Sequence, residues 1–419
     1  MKRLSAILIM ILYLSCGLTA RERTDVPFPA DSVGGEELTV SIVTCDPGPD
    51  VYELCGHAAL RIRSASMDSV WNYGIFDFTS PNFIYRFCKG ETDYMVYGYQ
   101  FERFMPAYVR RGSKVKEQVL DLTQEEARRL RSMLQTESRP ENRIYRYNYV
   151  RDNCATRPWK RVNQATERGI QLPDTLYHPT FRAEMSHFHR NYPWYQFGID
   201  LVLGSGLDYP LSKDEDTFAP PVLADKLAAA KIGGKPLVRE THIIFPGYAD
   251  ATLPPTPWWR TPMAVGILMA MLSIGTMFAY ILKKSLWRWW IFLYFLVAGI
   301  AGCIVTFLVF FSEHEATSPN VLIWWLNPFQ LLIAAGIWWK SWRRPVALMA
   351  AYDFIMALVL TFVIATRIAT QRVNPATWPM LLSILPLAAT ILLSSRRHDL
   401  KDLKDLKDLK NPNNPTNPK

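Results

Sequence analysis

Asp152-Asn153-Cys154-Ala155-Thr156-Arg157-Pro158 sets a thiol at the expected start of a helix. Asp152 or Asn153 is suited to cap that helix, and Pro158 is tolerated only in a first turn. A cysteine there feels the partial positive charge of the helix start, and Arg151 and Arg157 flank it. Both effects favour thiolate, the attacking form, over thiol. A buried, inert cysteine is the alternative on this stretch alone. His57 tips the balance. It follows Gly56, which leaves room for close approach, at the head of the strand candidate His57-Ala58-Ala59-Leu60-Arg61-Ile62-Arg63. Val70 to Phe78 returns after a turn over 64–69, so a hairpin is expected. With the turn centred near Ser66 or Met67, His57 lies across from Ile75 to Asp77, and Asp77 is the acid expected to reach the ring. Thiol, imidazole and carboxylate are the groups of nucleophilic acyl transfer, although a lone strand histidine is otherwise structural.

These groups need a scaffold. Glu37 to Thr44 is a strand candidate, and Asp46-Pro47-Gly48-Pro49-Asp50 is a turn. Thr123 and Glu126 make a capping box for a helix whose apolar face is Ala127, Leu130, Met133 and Leu134. The tyrosine-rich run 143–150 is a strand leading into Cys154, and Leu237 to Phe245 is a last strand. His187 and His189 stand two apart, so a helix would point them to different faces, and no further ligand pattern supports a metal. No cofactor is expected. The six cysteines, Cys16, Cys45, Cys55, Cys88, Cys154 and Cys303, are too sparse for a disulfide scaffold; a pair among Cys45, Cys55 and Cys88 stays open. The net charge of +9 is scattered, with no basic stripe interleaved with aromatics, which argues against nucleic acid as a partner.

Lys2, Arg3, the apolar run Leu4 to Leu14 and Gly17-Leu18-Thr19-Ala20 read as a signal peptide over 1–20. Lipidation at Cys16 and an uncleaved anchor are the alternatives. A soluble domain over 25–250, a Pro/Trp linker over 251–262 and a membrane domain over 263–395 follow. Five apolar spans are expected, at about 263–282, 290–311, 321–339, 346–366 and 378–394. Lys283, Lys284 and Arg288, then Lys340, Arg343 and Arg344, then Arg396 and Arg397 mark the cytoplasmic side. The odd span count agrees: the large domain is outside and the C-terminus is cytoplasmic. Asp353, an acid inside the fourth span, is either functional or a packing hydrogen bond. His314 is a candidate contact at the outer end of the second span. The Asp-Leu-Lys repeats and the Asn/Pro end over 396–419 read as a disordered tail.

A cysteine at a helix start with its histidine earlier on another strand resembles the permuted order of papain-like folds, as in the lecithin–retinol acyltransferase-like branch of the NlpC/P60 superfamily. More specifically, Cys55-Gly56-His57-Ala58-Ala59-Leu60-Arg61, Asn72-Tyr73-Gly74-Ile75-Phe76-Asp77-Phe78 and Asp152-Asn153-Cys154-Ala155-Thr156-Arg157 resemble the Lnb family of bacterial envelope proteins. Cys55 departs from the bulky apolar residue expected before Gly-His. The resemblance implies an α+β permuted papain-like periplasmic domain followed by an all-α five-helix transmembrane domain of the inner membrane. It also implies lipoprotein N-acylation: an acyl chain leaves a phospholipid donor for the free amine of a diacylated apolipoprotein. Cys154 is then the nucleophile, His57 the base and Asp77 its orienter. The Cys154 N–H is an oxyanion donor, with Asn153 the candidate second. A papain-like cell-wall amidase or peptidase is the enzymatic alternative, and a membrane-anchored assembly module with inert Cys and His the non-enzymatic one.

Overall fold

Alternation of apolar residues builds the sheet of the N-terminal half. The computed structural model describes residues 35–76, 80–174, 177–248 and 254–410. The expected signal peptide therefore lies outside the described residues. The chain divides into two compact units, Met1–His189 with Pro210–Pro254 and Arg190–Tyr209 with Pro255–Lys419.

The strands in chain order are β1 (Thr39–Cys45), β2 (His57–Arg63), β3 (Asp68–Ile75), β4 (Asp93–Gln100), β5 (Val115–Leu120), β6 (Ile144–Arg146), β7 (Ile170–Gln171), β8 (Lys231–Ile232), β9 (Lys235–Pro236) and β10 (Val238–Phe245). Seven of them form one antiparallel sheet in the order β10-β5-β1-β2-β3-β4-β6; β7, β8 and β9 form a small second one. The helices of this unit are α1 (Phe83–Lys89), α2 (Phe101–Arg111), α3 (Gln124–Glu137), α4 (Thr156–Ala165) and α5 (Phe181–Phe188), with α7 (Pro220–Ala229) after the excursion into the second unit. Successive strand side chains alternate between faces. Val40, Ile42, Leu60, Ile62 and Trp71 pack with Leu130 and Leu134 of α3, Trp159 and Val162 of α4 and Leu223 and Leu227 of α7. Val43, Cys45, Ala59 and Val70 pack with Phe101, Phe104 and Tyr108 of α2. With both faces covered, the central strands bury every side chain except at their ends.

Thr123 and Glu126 exchange their capping-box bonds, 3.2 and 2.9 Å, as expected at the head of α3. The β2–β3 hairpin also forms, but its register differs by a residue or more from the expected one. Arg63 pairs with Asp68 and Leu60 with Trp71, around the four-residue loop 64–67. Buried Arg61 locks this register through two bonds to Asp68, 2.7 and 2.5 Å, and one to Glu117, 3.2 Å. A buried guanidinium tolerates only a position where its fork is met.

The second unit holds α6 (Pro193–Val202), α8 (Pro262–Lys283), α9 (Arg288–Phe310), α10 (Gln330–Gly336), α11 (Arg343–Ala365), α12 (Thr377–Leu382) and α13 (Ile384–Lys410). Four segments among the described residues are long and apolar enough to cross a membrane: Pro262–Lys283, Arg288–Phe310, Lys340–Ala365 and Thr377–Lys404. The expected third span is not a continuous helix. It is a 3-10 turn, Val321–Trp324, followed by the seven-residue α10. Pro328 between them has no N–H for a helical ladder. Leu322, Trp325, Leu326, Ile333 and Ala334 are buried in the apolar core of this unit. Hydropathy cannot separate such a run from a lipid-facing one. The orientation rests on the basic loops.

Two boundaries also differ from expectation. Residues 190–209 belong to the second unit, not to the soluble domain. Phe197 and Leu201 of α6 join its core. Its polar groups pair there too: Asp200 with Asn374 at 2.9 Å, the Leu201 carbonyl with Asn320 at 2.9 Å, and the Gly204 N–H with the Ala316 carbonyl at 2.8 Å. The expected disordered tail continues α13 as far as Lys410. Asp, Leu and Lys are compatible with a helix, and Asp402 of the repeats meets Arg343 at 3.0 Å.

Candidate active site

The site lies where β2 begins and α4 begins. His57 pairs with Cys45 in the β1–β2 register, immediately after Gly56. Gly56 has φ +76, and a Cβ there would meet the Cys45 carbonyl oxygen at 2.4 Å, so only glycine brings the chain into β2 at this point. The ring of His57 stacks on Tyr108 of α2, with centroids 6.1 Å apart. Its Nε2 is 2.6 Å from Asn72 Oδ1. That oxygen only accepts, so Nε2 carries the proton and Nδ1 is the basic nitrogen. Asn72 is held in turn by its Nδ2, which donates to the Tyr99 hydroxyl at 3.1 Å.

Asn72 thus holds the imidazole through Nε2. The observed hairpin register, continued by three residues, sets His57 opposite Gly74, and Asn72 becomes its diagonal neighbour on the same face. Asp77 lies outside the described residues. Asn72 stood in the sequence motif without a role, and the true loop length was the signal that would have found it.

Cys154 reaches the same place from the other side. The strand expected over 143–150 stops after Arg146, because Asn148 Oδ1 accepts from the N–H groups of Val150 and Arg151, 3.2 and 3.0 Å, and turns the chain. Asn153 then caps α4: its Oδ1 accepts from the N–H groups of Ala155 and Thr156 at 2.8 and 2.9 Å. Its Nδ2 donates to the Tyr149 and Phe218 carbonyls, both at 2.8 Å. Both amide hydrogens are committed, so Asn153 shapes the site and has no donor left for an oxyanion.

The Ala58 N–H, from the residue after His57, and the Tyr147 hydroxyl both favour the Cys154 thiolate, and the Tyr147 ring and Cys154 meet at Gly74. Thiol and imidazole are therefore brought to adjoining backbone positions. Gly74, with φ +87, floors the site, and a Cβ there would lie 3.2 Å from the Tyr147 ring and 3.8 Å from Cys154 Cβ. Tyr147, hidden in a tyrosine-rich run, was not singled out by sequence.

The electrostatics differ from expectation. Burial pushes the Cys154 thiol up, outweighing its hydrogen bonds. Burial pushes His57 down to about 4, against the opposing bond to Asn72. The resting pair is neutral. Neither neighbouring arginine supplies the expected charge: Arg157 bonds Asp152 at 2.7 Å and lies over the Tyr145 ring at 3.5 Å, and Arg151 is exposed. Cys55, the second thiol beside the base, meets the Tyr149 hydroxyl at 3.4 Å and is pushed up to about 12 by burial, so it is a weaker nucleophile candidate. Among the described residues, Cys45, Cys55, Cys154 and Cys303 form no disulfide.

Glu184 of α5 was also missed. It is fully buried, neither carboxyl oxygen has a hydrogen-bond partner among the described residues, and burial together with Asp216 raises it to about 9. Its charge is felt at Cys55. The two remaining sequence candidates belong to the second unit. Asp353 is buried in α11 and accepts from Asn327 at 3.3 Å and Gln330 at 3.4 Å, the packing arrangement weighed as its alternative. His314 precedes the 3-10 turn Glu315–Thr317, and its carbonyl accepts from Thr317.

A sheet-rich unit carrying this site, followed by helices of membrane length, defines a membrane protein with a sheet-rich N-terminal domain. Residues 26–186 match the family model for the Lnb N-terminal periplasmic domain, and residues 255–398 match that for the Lnb transmembrane domain. The chain belongs to the Lnb family. Searches of the curated proteins and of the solved structures found no match.

Proposed function

We propose that this protein is a lipoprotein N-acyltransferase with a Cys154–His57–Asn72 centre on a permuted papain-like domain. The observation that carries the reading is the Cys154 sulfur against the backbone after His57, whose ring is held by Asn72. His57 Nδ1 takes the thiol proton as sulfur attacks the ester carbonyl carbon of a phospholipid. The Cys154 N–H, the Ala58 N–H and the Tyr147 hydroxyl are the donors near the developing oxyanion. The C–O bond breaks, the imidazolium returns its proton to the leaving oxygen, and a lysophospholipid departs from the thioester. The α-amine of a diacylglyceryl-cysteine then attacks the thioester. His57 accepts the amine proton and hands it to the departing sulfur, leaving an amide and the free thiol. Both substrates are lipids of the outward leaflet of the inner membrane, which gives a reason for joining the centre to a membrane unit with its C-terminus in the cytoplasm.

The test is expression in cells depleted of their own lipoprotein N-acyltransferase, with N-terminal lipopeptides weighed by mass spectrometry. A third acyl chain with wild type, absent with Cys154→Ser and His57→Ala, is the expected result. Diacylated peptides throughout would end the proposal.

A further inference from the structure

Helix α1 has no buried residue, yet its sequence is Phe-Ile-Tyr-Arg-Phe-Cys-Lys. Ile84, Tyr85 and Phe87 are 52%, 55% and 49% exposed. Contiguous exposed apolar side chains of this size mark an interaction surface. The charges of α1 are met locally: Arg86 bonds the Glu91 carbonyl at 3.0 Å and Asp93 at 3.2 Å, and Lys89 pairs with Glu91. What α1 offers outward is hydrocarbon and ring.

The surface does not end at the helix. Phe87 stacks with Phe83 at 6.0 Å, Phe83 with Phe76 at 6.0 Å, Phe76 packs on Tyr94 at 4.9 Å, and Tyr94 stacks on Tyr147 at 4.3 Å. Tyr147 and Cys154 meet at Gly74, where a Cβ would lie 3.2 Å from the Tyr147 ring and 3.8 Å from Cys154 Cβ, and the Tyr147 hydroxyl favours the thiolate. A strip of aromatic rings therefore runs from an exposed helix to the nucleophile. Its contour along the centroids is about 21 Å. The chain of one leaflet occupies about 15 Å, half the hydrocarbon core. The strip is thus long enough to accompany most of an acyl chain.

We propose that α1 and this strip seat the acyl chain of the donor phospholipid and deliver its ester carbonyl to Cys154. The inference rests on the acyltransferase reading and names where that reaction holds its donor. Hydrocarbon is the occupant because the strip is uncharged and aromatic, its outer end is exposed on α1, and its inner end meets the group that must receive the acyl carbon. Aromatic side chains are also the usual residents of a membrane interface.

The test uses the full chain in vesicles of phosphatidylethanolamine and phosphatidylglycerol, doped with a phospholipid carrying a diazirine in its acyl chain. After irradiation, adducts are mapped by peptide mass spectrometry, in wild type and in Cys154→Ala. Adducts on peptides holding Phe76, Phe83, Phe87, Tyr94 or Tyr147 are expected in both. Adducts confined to the helices of residues 262–404 would overturn the proposal. In a second arm, thioester formation on Cys154 is timed with dioleoyl and dibutyryl donors. The double variant Phe83→Ser/Phe87→Ser should lower the long-to-short rate ratio at least about tenfold, two methylenes' worth of contact. A ratio equal to wild type would count against the strip. Strip adducts without any thioester in wild type would sink the acyltransferase reading and keep the lipid site; thioester without strip adducts would do the reverse.

Discussion

Replacing Asn72 by aspartate probes the centre of the site, because it puts a charge where the structure has a neutral acceptor 2.6 Å from His57 Nε2. In wild type, His57 stands at about 4 and the Cys154 thiol above its ordinary 9.0. Moving the proton from sulfur to imidazole in the resting site therefore costs at least about 7 kcal/mol, at 1.36 kcal/mol per unit. His57 is an available base above about pH 4, so thioester formation should rise through that pH and stay level to neutrality. A carboxylate beside the ring favours imidazolium and raises its value by about 1–3 units. For Asn72→Asp the acid limb should climb to about pH 5–7, and the thiolate–imidazolium population should grow roughly 10- to 1000-fold. Alkylation of Cys154 by iodoacetamide, followed by intact mass against pH, reads that population without any substrate. Wild-type Cys154 should be slower near neutral pH than an exposed cysteine, and Asn72→Asp faster than wild type. An Asn72→Asp profile that overlays the wild-type curve would show that residue 72 does not govern the ring, and the assignment of the centre would fall.

Tyr147→Phe removes the hydroxyl beside the sulfur; thioester formation should drop roughly 100-fold in kcat with little change in KM, and a loss below threefold would discount it as an oxyanion donor. Gly74→Ala forces a side chain into a left-handed position against the Tyr147 ring, and unfolding should show a loss of about 1–3 kcal/mol together with weaker acylation. Glu184 is raised to about 9, so its contribution to stability is full below about pH 4.5 and is lost as pH rises through 9. By pH 7 that loss is about 3 kcal/mol, and Glu184→Gln, which cannot ionise, should gain that much on wild type between pH 4.5 and 7. Thermal melts across that range check it, and parallel curves would refute it.

Cys154 and His57, the pair the proposed centre uses, could be singled out because each sits at the head of an element with a local signature: a cap and early proline for Cys154, a glycine and an apolar run for His57. The capping box of α3 was legible for the same reason. Asn72 was not, since its role depends on hairpin register, and a shift of one or two residues exchanges the partners of every strand position. The charge state was misjudged because a helix start is a local feature, whereas desolvation of the sulfur comes from tertiary burial. The break within the third apolar run was illegible for a related reason. Hydropathy measures what a segment avoids, and the core around Ile291, Phe295 and Leu360 satisfies that avoidance as well as lipid does. Helix α6 was missed because ten residues are too few to span a bilayer and nothing local says which unit they join.

That excursion bears on how the protein can be taken apart. Because the chain passes between its two units three times, at residues 189, 209 and 254, no single cut yields either one whole. A secreted fragment ending at Pro254 would carry Phe197 and Leu201 with nothing to cover them, and the membrane half produced alone would lack a helix of its own interior. A usable soluble version would instead excise 190–209 and rejoin His189 to Pro210 through a short flexible bridge.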